Sequence, residues 1–281
     1  MGCMNTHATK PFFHIRPIKG WQFIDFKELS QYRDLLYFLI VRDIKVKYKQ
    51  TVLGGLWAIM QPLFAMVVFT IFFGMVAKIP SDNIPYPIFN YSAMVVWTYF
   101  ANTIADSGNS LIMNTNLISK VYFPRLIVPL TPVLAGLLDF AVAFSLLTGM
   151  MIYYHIYPSI TILLLPLLLL LMIFTATGVG TFLAALNAQY RDIRYTIPFL
   201  VQLWMFASPI VYPSSMLPEK YRLLYALNPM TGIIEGFRSA LLGNTPFPYH
   251  MVMVSTIVSM CLFLIGVLYF KKTERYFADI I

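Results

Sequence analysis

Charge is what this 281-residue chain has least of: Asp, Glu, Lys and Arg make up 11% of it, against roughly 25% in a soluble domain. That shortage excludes an ordinary water-soluble globule. Cysteine is nearly absent too, with Cys3 in the tail and Cys261 inside a late apolar run. Their different expected depths exclude a disulfide, and no CxxC or Cys/His spacing points to a metal. The four histidines, His7, His14, His155 and His250, are scattered in sequence. No G-x-x-x-x-G-K-[ST] run occurs, so the chain has no P-loop to cradle ATP. Nothing resembling a Ser-His-Asp set or a carboxylate pair points to an intramembrane enzyme. The first apolar run is too late and too long for a cleavable signal peptide. The start of the chain formally fits an acylation pattern, yet a protein with several spans gains little from one acyl chain.

What is present is apolar sequence: 59% hydrophobic residues and a mean hydropathy of +0.71. The expected class is an all-α membrane protein. The net charge of +8 flanks apolar runs rather than gathering in one patch, which favours membrane lipid headgroups as partners and no nucleic acid. The organising stretch is residues 45–62, KVKYKQTVLGGLWAIMQP, where Lys45, Lys47 and Lys49 are followed by 28 positions without charge. A hydrocarbon core of about 30 Å needs roughly 20 apolar residues.

Six spans are read, at about 52–77, 91–113, 127–154, 160–186, 196–212 and 248–270, within a 51–281 transmembrane domain. Residues 1–24 form a tail without clear period. Residues 25–50 read as an amphipathic interface helix, with Asp25 and Glu28 at capping-box spacing and Leu29, Tyr32, Leu36, Ile40 and Ile44 on one face. The bland alternative is a soluble helix packed on a partner. Between Asp139 and Arg191 lie 51 uncharged residues, divided by YYHIYPS at 153–159 into two helices. Ala176, Gly180 and Ala184 give the fourth span a face of small residues for close packing. Residues 213–247, broken at Pro218 and at Asn228-Pro229, make two pieces too short to cross, with Gly243 as a C-cap. They read as re-entrant or surface helices on the outer side. Of the 20 Lys and Arg residues, 16 fall on one side of these spans, which places both termini in the cytoplasm.

Asp106 and Asp139 are costly inside a membrane, about 2.5–3.5 kcal/mol each at a helix centre. Either they form a proton relay or cation site, or Asp106 is hydrated at its helix end and Asp139 pairs with a neighbouring helix. The internal loop at 114–124 carries Leu117, Ile118, Val121, Tyr122 and Phe123, too apolar for a free loop. It either inserts into a partner's groove or lies back on the bilayer. Phe69 and Phe73 in the first span, Trp97 and Tyr99 in the second, and Trp204 and Phe206 in the fifth are candidates to line a conduit.

Five runs in order, YKQTVLGGLWAIMQP at 48–62, NLISKVYFPRL at 116–126, QYRDIRY at 189–195, SPIVYP at 208–213 and LNPMTGIIEGFR at 227–238, resemble the membrane subunit of bacterial polysaccharide ABC exporters, within the ABC-2 type transporter family. The likeness covers nearly all of the chain after residue 25. It implies a permease in the bacterial inner membrane that pairs with a second copy of itself and with two copies of a separate ATPase, which binds the ATP and Mg. It also implies no cofactor in this chain and a lipid-linked polysaccharide such as O-antigen as substrate. By that resemblance Asn116, Leu117, Ile118, Lys120, Val121, Tyr122 and Phe123 form the coupling helix. Arg42, Lys45, Lys47 and Lys49 would meet the lipid pyrophosphate, and Glu235 and Arg238 belong to the re-entrant exit region. An ion-coupled secondary transporter using Asp106 and Asp139 is the competing expectation.

Overall fold

The computed structural model describes residues 26–49, 54–190, 192–243 and 245–277, whose regular structure is entirely helical. The 1–24 tail and Asp25, the expected cap, lie outside the described residues. The interface helix is in two pieces, α1 (Phe26–Gln31) and α2 (Arg33–Lys49), with a turn at Tyr32. Leu39 is its buried residue, and Leu29, Tyr32, Leu35 and Leu36 pack beside it. The buried stripe is thus the expected face, extended by Leu35 and Leu39, while Tyr37, Phe38 and Val46 remain exposed.

Gly54, at φ +48 in the left-handed region open to glycine, begins a short 3-10 turn ending at Leu56. It leads into α3 (Trp57–Phe69) and a π-helical turn (Thr70–Val76). α4 (Tyr86–Met113) follows, then α5 (Thr115–Lys120) and α6 (Ile127–Tyr153). A 3-10 turn (Ile160–Leu164) opens α7 (Leu165–Gln189). After α8 (Ile193–Phe206) come α9 (Glu219–Tyr225), α10 (Pro229–Leu242) and α11 (Tyr249–Thr273).

Among the described residues, four segments are long and apolar enough to cross a membrane: Gly54–Val76, Ile127–Tyr153, Ile160–Gln189 and Tyr249–Thr273. They lie close to the first, third, fourth and sixth expected spans. α4 stands where the second was expected and begins earlier, at Tyr86, with Pro87 in its first turn. It is long enough to cross, about 42 Å at 1.5 Å per residue, and far more polar than the others. Those polar groups serve neighbouring backbones. Tyr86 Oη donates to Val211 O at 2.7 Å, Tyr99 Oη to Val133 O at 3.0 Å, and Ser107 Oγ to Pro129 O at 2.9 Å. α4 is therefore the central post, against which α3, α6, α7, α8 and α10 all pack.

The fifth expected span, 196–212, takes a different form. α8 has 14 residues, about 21 Å of helix, and the chain bends after Phe206. Ser208 precedes Pro209, a position that disfavours helical backbone, and Asn228 Nδ2 takes the carbonyl of Ala207 at 2.9 Å. α10 is equally short, and every one of its residues is buried.

The molecule has two distinct ends. At one, Leu39, Ile118, Phe123, Ile127, Ala185 and Phe270 form a small core under α2 and α5, and Arg125 binds Glu274. At the other, α10 is enclosed by the start of α4, the 154–160 turn and the start of α11. The tightest helix contact joins α7 to α11, where a Cβ on Gly178 would lie 2.5 Å from Phe263 Cα and one on Gly266 would run into the Gly178 carbonyl. The expected Ala176, Gly180 and Ala184 face is also buried, with Gly180 against Ser107 of α4. Gly178→Leu is expected to lower stability by about 1–3 kcal/mol, the usual overpacking range, read as an earlier melting transition of the purified protein in detergent. Gly149→Leu, with nothing within 4 Å of the added Cβ, should melt like the parent chain.

Candidate functional site

Three places hold the residues singled out from sequence. The first is α5 and the strap after it. Ile118 and Phe123 are buried in the small core and Leu117 packs against it. Val121 and Tyr122 are 51% and 78% exposed, and Asn116 and Lys120 are exposed as well. The apolar loop is thus divided: Leu117, Ile118 and Phe123 anchor it to the protein, and Val121 and Tyr122 face outward.

The second place is the junction of α2 with α6. Lys47 Nζ and Tyr48 Oη donate to the two carboxylate oxygens of Asp139. A carboxylate on a membrane-crossing helix is so neutralised by a lysine from the surface helix. Arg42 is paired with its neighbour Asp43 at 2.8 Å, whereas Lys45 and Lys49 stay exposed. The four basic residues expected to act together are therefore divided, two in ion pairs and two facing outward. Beside this junction lies an open cavity of about 610 Å³ bordered by α2, α3, α4 and α6. Lys47 and Tyr48, Trp57 and Gln61, Asn102 and Asp106, and Asp139 contribute to its wall. Asp106 and Asp139, a pair for ion coupling by the competing expectation, share this cavity, but Asp139 is already held by two donors.

The third place is at the α10 end. Glu235 and Arg238, three residues apart on α10, form a buried ion pair at 3.0 Å. Glu235 Oε1 also accepts from the Ser214 amide at 3.0 Å, and Arg238 Nη2 donates to Pro209 O at 2.9 Å. The guanidinium lies 3.7 Å from the centre of the Phe89 ring, a cation–π contact in a desolvated setting. These two residues therefore clamp the 209–214 strap and the start of α4 onto α10. They present no charge to an open surface.

Asn228 is the residue that the sequence reading passed over. Its Oδ1 accepts from the Met230 amide, capping α10, and from Trp204 Nε1 at 2.8 Å. Its Nδ2 donates to Ala207 O and to Ser208 Oγ, both at 2.9 Å. All four hydrogen-bonding capacities of one amide are used, and they fasten the end of α8 to the start of α10. The Asn-Pro pair carried a signal for a capped helix start, yet the partners on α8 lie more than 20 residues away.

The six aromatic candidates do not share one surface. Trp97 is 3% exposed and packed on Phe100 at 5.6 Å; it is a core residue because α4 is buried on nearly every side. Tyr99 is equally buried, with its ring edge on Phe140. Phe69 and Phe73 pair at 5.7 Å and are half-buried, and Trp204 meets Phe100 edge-on at 5.1 Å. Phe206 alone of the six is more than half exposed, at 53%.

Membrane-length helices around a polar central post, with two half-length helices meeting at a shared asparagine, define a polytopic α-helical membrane protein. The chain belongs to the ABC-2 type transporter family, whose sequence model matches residues 34–242. It is 28% identical over 256 residues to the O-antigen export system permease protein RfbA of Myxococcus xanthus, covering 90% of this chain and 97% of that protein. A permease of the same name from Klebsiella pneumoniae is 28% identical over 249 residues, or 88% of this chain and 95% of that one. The polysialic acid transport protein KpsM of Escherichia coli is 23% identical over 209 residues, 73% of this chain and 80% of its own length.

Glu235→Gln or Arg238→Gln leaves one buried charge without its partner, and each is expected to destabilise the protein by about 3–5 kcal/mol. The double change Glu235→Leu with Arg238→Met, which leaves no buried charge, should recover part of that loss in the same melting measurement.

Proposed function

We propose that this chain is the channel-forming membrane subunit of an ATP-driven exporter that moves a lipid-linked, O-antigen-like polysaccharide from the cytoplasm across the bacterial inner membrane. The observation that carries this reading is the match to export permeases along about nine-tenths of the chain. Six crossings are proposed, with α4 as the second and α8 plus the 207–213 strap as the fifth, which puts both termini and the α2 end in the cytoplasm.

The ATPase is a separate protein in this reading, because the sequence has no P-loop. Two copies of it would dock beneath two copies of the present chain. Val121 and Tyr122 supply the contact: they project from a strap that Ile118 and Phe123 lock into the bundle, so a push on them is transmitted to α4 and α6. The second copy of the chain would cover α3 and α8. α3 and the π-helical turn after it leave Phe64, Val68 and Phe72 exposed, and α8 leaves Phe199, Leu203 and Phe206 exposed. A conduit between two such faces would use Phe69, Phe73, Trp204 and Phe206 more readily than the buried Trp97. Arg42, Lys45, Lys47 and Lys49 are all exposed; Lys45 and Lys49 are favoured to meet the pyrophosphate of an arriving lipid because Arg42 and Lys47 are already engaged with Asp43 and Asp139. The ion-coupled alternative is weakened by the pairing of Asp139 with Lys47 and Tyr48.

Val121→Asp combined with Tyr122→Ala is expected to abolish co-purification of the ATPase and polysaccharide export while the protein still inserts at its normal level. Leu117 is a poor choice for that test because it packs inward. Normal export in the double variant would reject the coupling role. In vesicles, substrate movement without ATP that is lost in Asp106→Asn would reject the ATP-driven reading in favour of ion coupling.

A further inference from the structure

The cavity between α2, α3, α4 and α6 has an unbalanced charge. Its wall contains five charged side chains: Arg42, Asp43, Lys47, Asp106 and Asp139. Arg42 binds Asp43 and Lys47 binds Asp139, which leaves Asp106. Asp106 is exposed to this space and makes no hydrogen bond or ion pair among the described residues. The surplus is one negative charge in a space of about 610 Å³, a size typical of ligand cavities.

The groups around Asp106 are acceptors in the right register for a cation with several N–H bonds. Asn102 and Ser110 stand four residues before and after it on α4, and Thr103 three before, so all lie on one helical face. Asn102 gives its Nδ2 to Gln61 Oε1 at 3.1 Å, which leaves its Oδ1 as the available atom. Trp57 also lines the cavity, and an indole face attracts an ammonium. The basic residues of this wall, by contrast, all come from α2.

Exposed cation side chains on α2, beside a surplus carboxylate on α4, match a dipolar headgroup. We propose that this cavity is a binding site for the headgroup of an ethanolamine phospholipid, its primary ammonium held by Asp106 and its phosphate facing Arg42 and Lys47. An ammonium offers three donors to the Asp106, Asn102 and Thr103 oxygens. A quaternary choline has none, and a phosphatidylglycerol headgroup brings no cation. The site requires only a chain embedded in a lipid bilayer and does not depend on the export reading.

The test is native mass spectrometry of the full-length chain in detergent, titrated with dioleoyl phosphatidylethanolamine, phosphatidylcholine or phosphatidylglycerol, with neither ATP nor polysaccharide present. The ethanolamine lipid is expected to be retained about tenfold more strongly than the other two, the scale of a hydrogen-bonded charge. Asp106→Asn should remove that preference, and Asp192→Asn, an exposed carboxylate at the same end, should keep it. N-acetylated phosphatidylethanolamine tests the ammonium on the unaltered protein and should bind no better than phosphatidylglycerol. Equal retention of the choline or glycerol lipid, or an undiminished preference in Asp106→Asn, would overturn the proposal. Displacement of the lipid by millimolar glucosamine would overturn it as well, assigning the cavity to an amino sugar.

Discussion

Hydrocarbon offers no hydrogen-bond partner, so every polar group carried into the bilayer must find one within the protein. The arrangement around α10 follows from that requirement. A helix of this length cannot reach both surfaces, and its two ends would leave orphan amides and carbonyls at depth. Asn228 caps the first end, and Gly243, at φ +68, returns its amide to Ser239 O at the other. Ser239 Oγ in turn donates to Thr245 O, and Ser255 Oγ of α11 accepts from the Gly232 amide. Each satisfied group also ties α10 to a different neighbour. The half-length helix is stable where it is because it is the best-connected element at its end.

The same requirement explains the polarity of α4. Its hydroxyls and amides would be a liability on a lipid-facing helix. In the centre of the bundle they bind backbone oxygens of α6 and of the 210–211 strap, adding directional bonds to a shared apolar core. The Lys47–Asp139 pair applies the rule where α2 meets α6. One carboxylate of α6 is neutralised by the surface helix, and a displacement of α2 is thereby felt by a helix that crosses the membrane.

The long apolar runs made the membrane-crossing helices legible, since the need for about 20 uncharged residues in succession leaves few placements. The short helices of 213–247 were legible for the converse reason: Pro218 and Pro229 break the run into lengths that cannot cross. What escaped sequence reading depends on partners distant along the chain. The early end of α8 results from Asn228 and from the Ser208-Pro209 step, while the local apolar pattern continues to Tyr212. The burial of Trp97 reflects how many helices surround α4. The division of the basic residues reflects Asp139, which lies 92 residues from Lys47. Among the loop residues 116–123, apolarity was visible, but the split between anchors and projecting side chains required the small core beneath α2.

Packing is unevenly distributed among the crossing helices. The glycine contact of Gly178 with Gly266 brings the α7 and α11 backbones together without side chains between them, so the two helices behave mechanically as one beam, with α4 bolted alongside through Gly180. α3 has no such weld: only 11% of its apolar window is buried within the protomer, against 33% and 28% for the segments that contain α7 and α11. Its far half is wound as a π-turn seated on the Tyr86 ring at Gly74. Close packing on one flank and sparse packing on the other give the chain a fixed frame in which the α3 segment, of the four membrane-length segments, is the least held by contacts of its own.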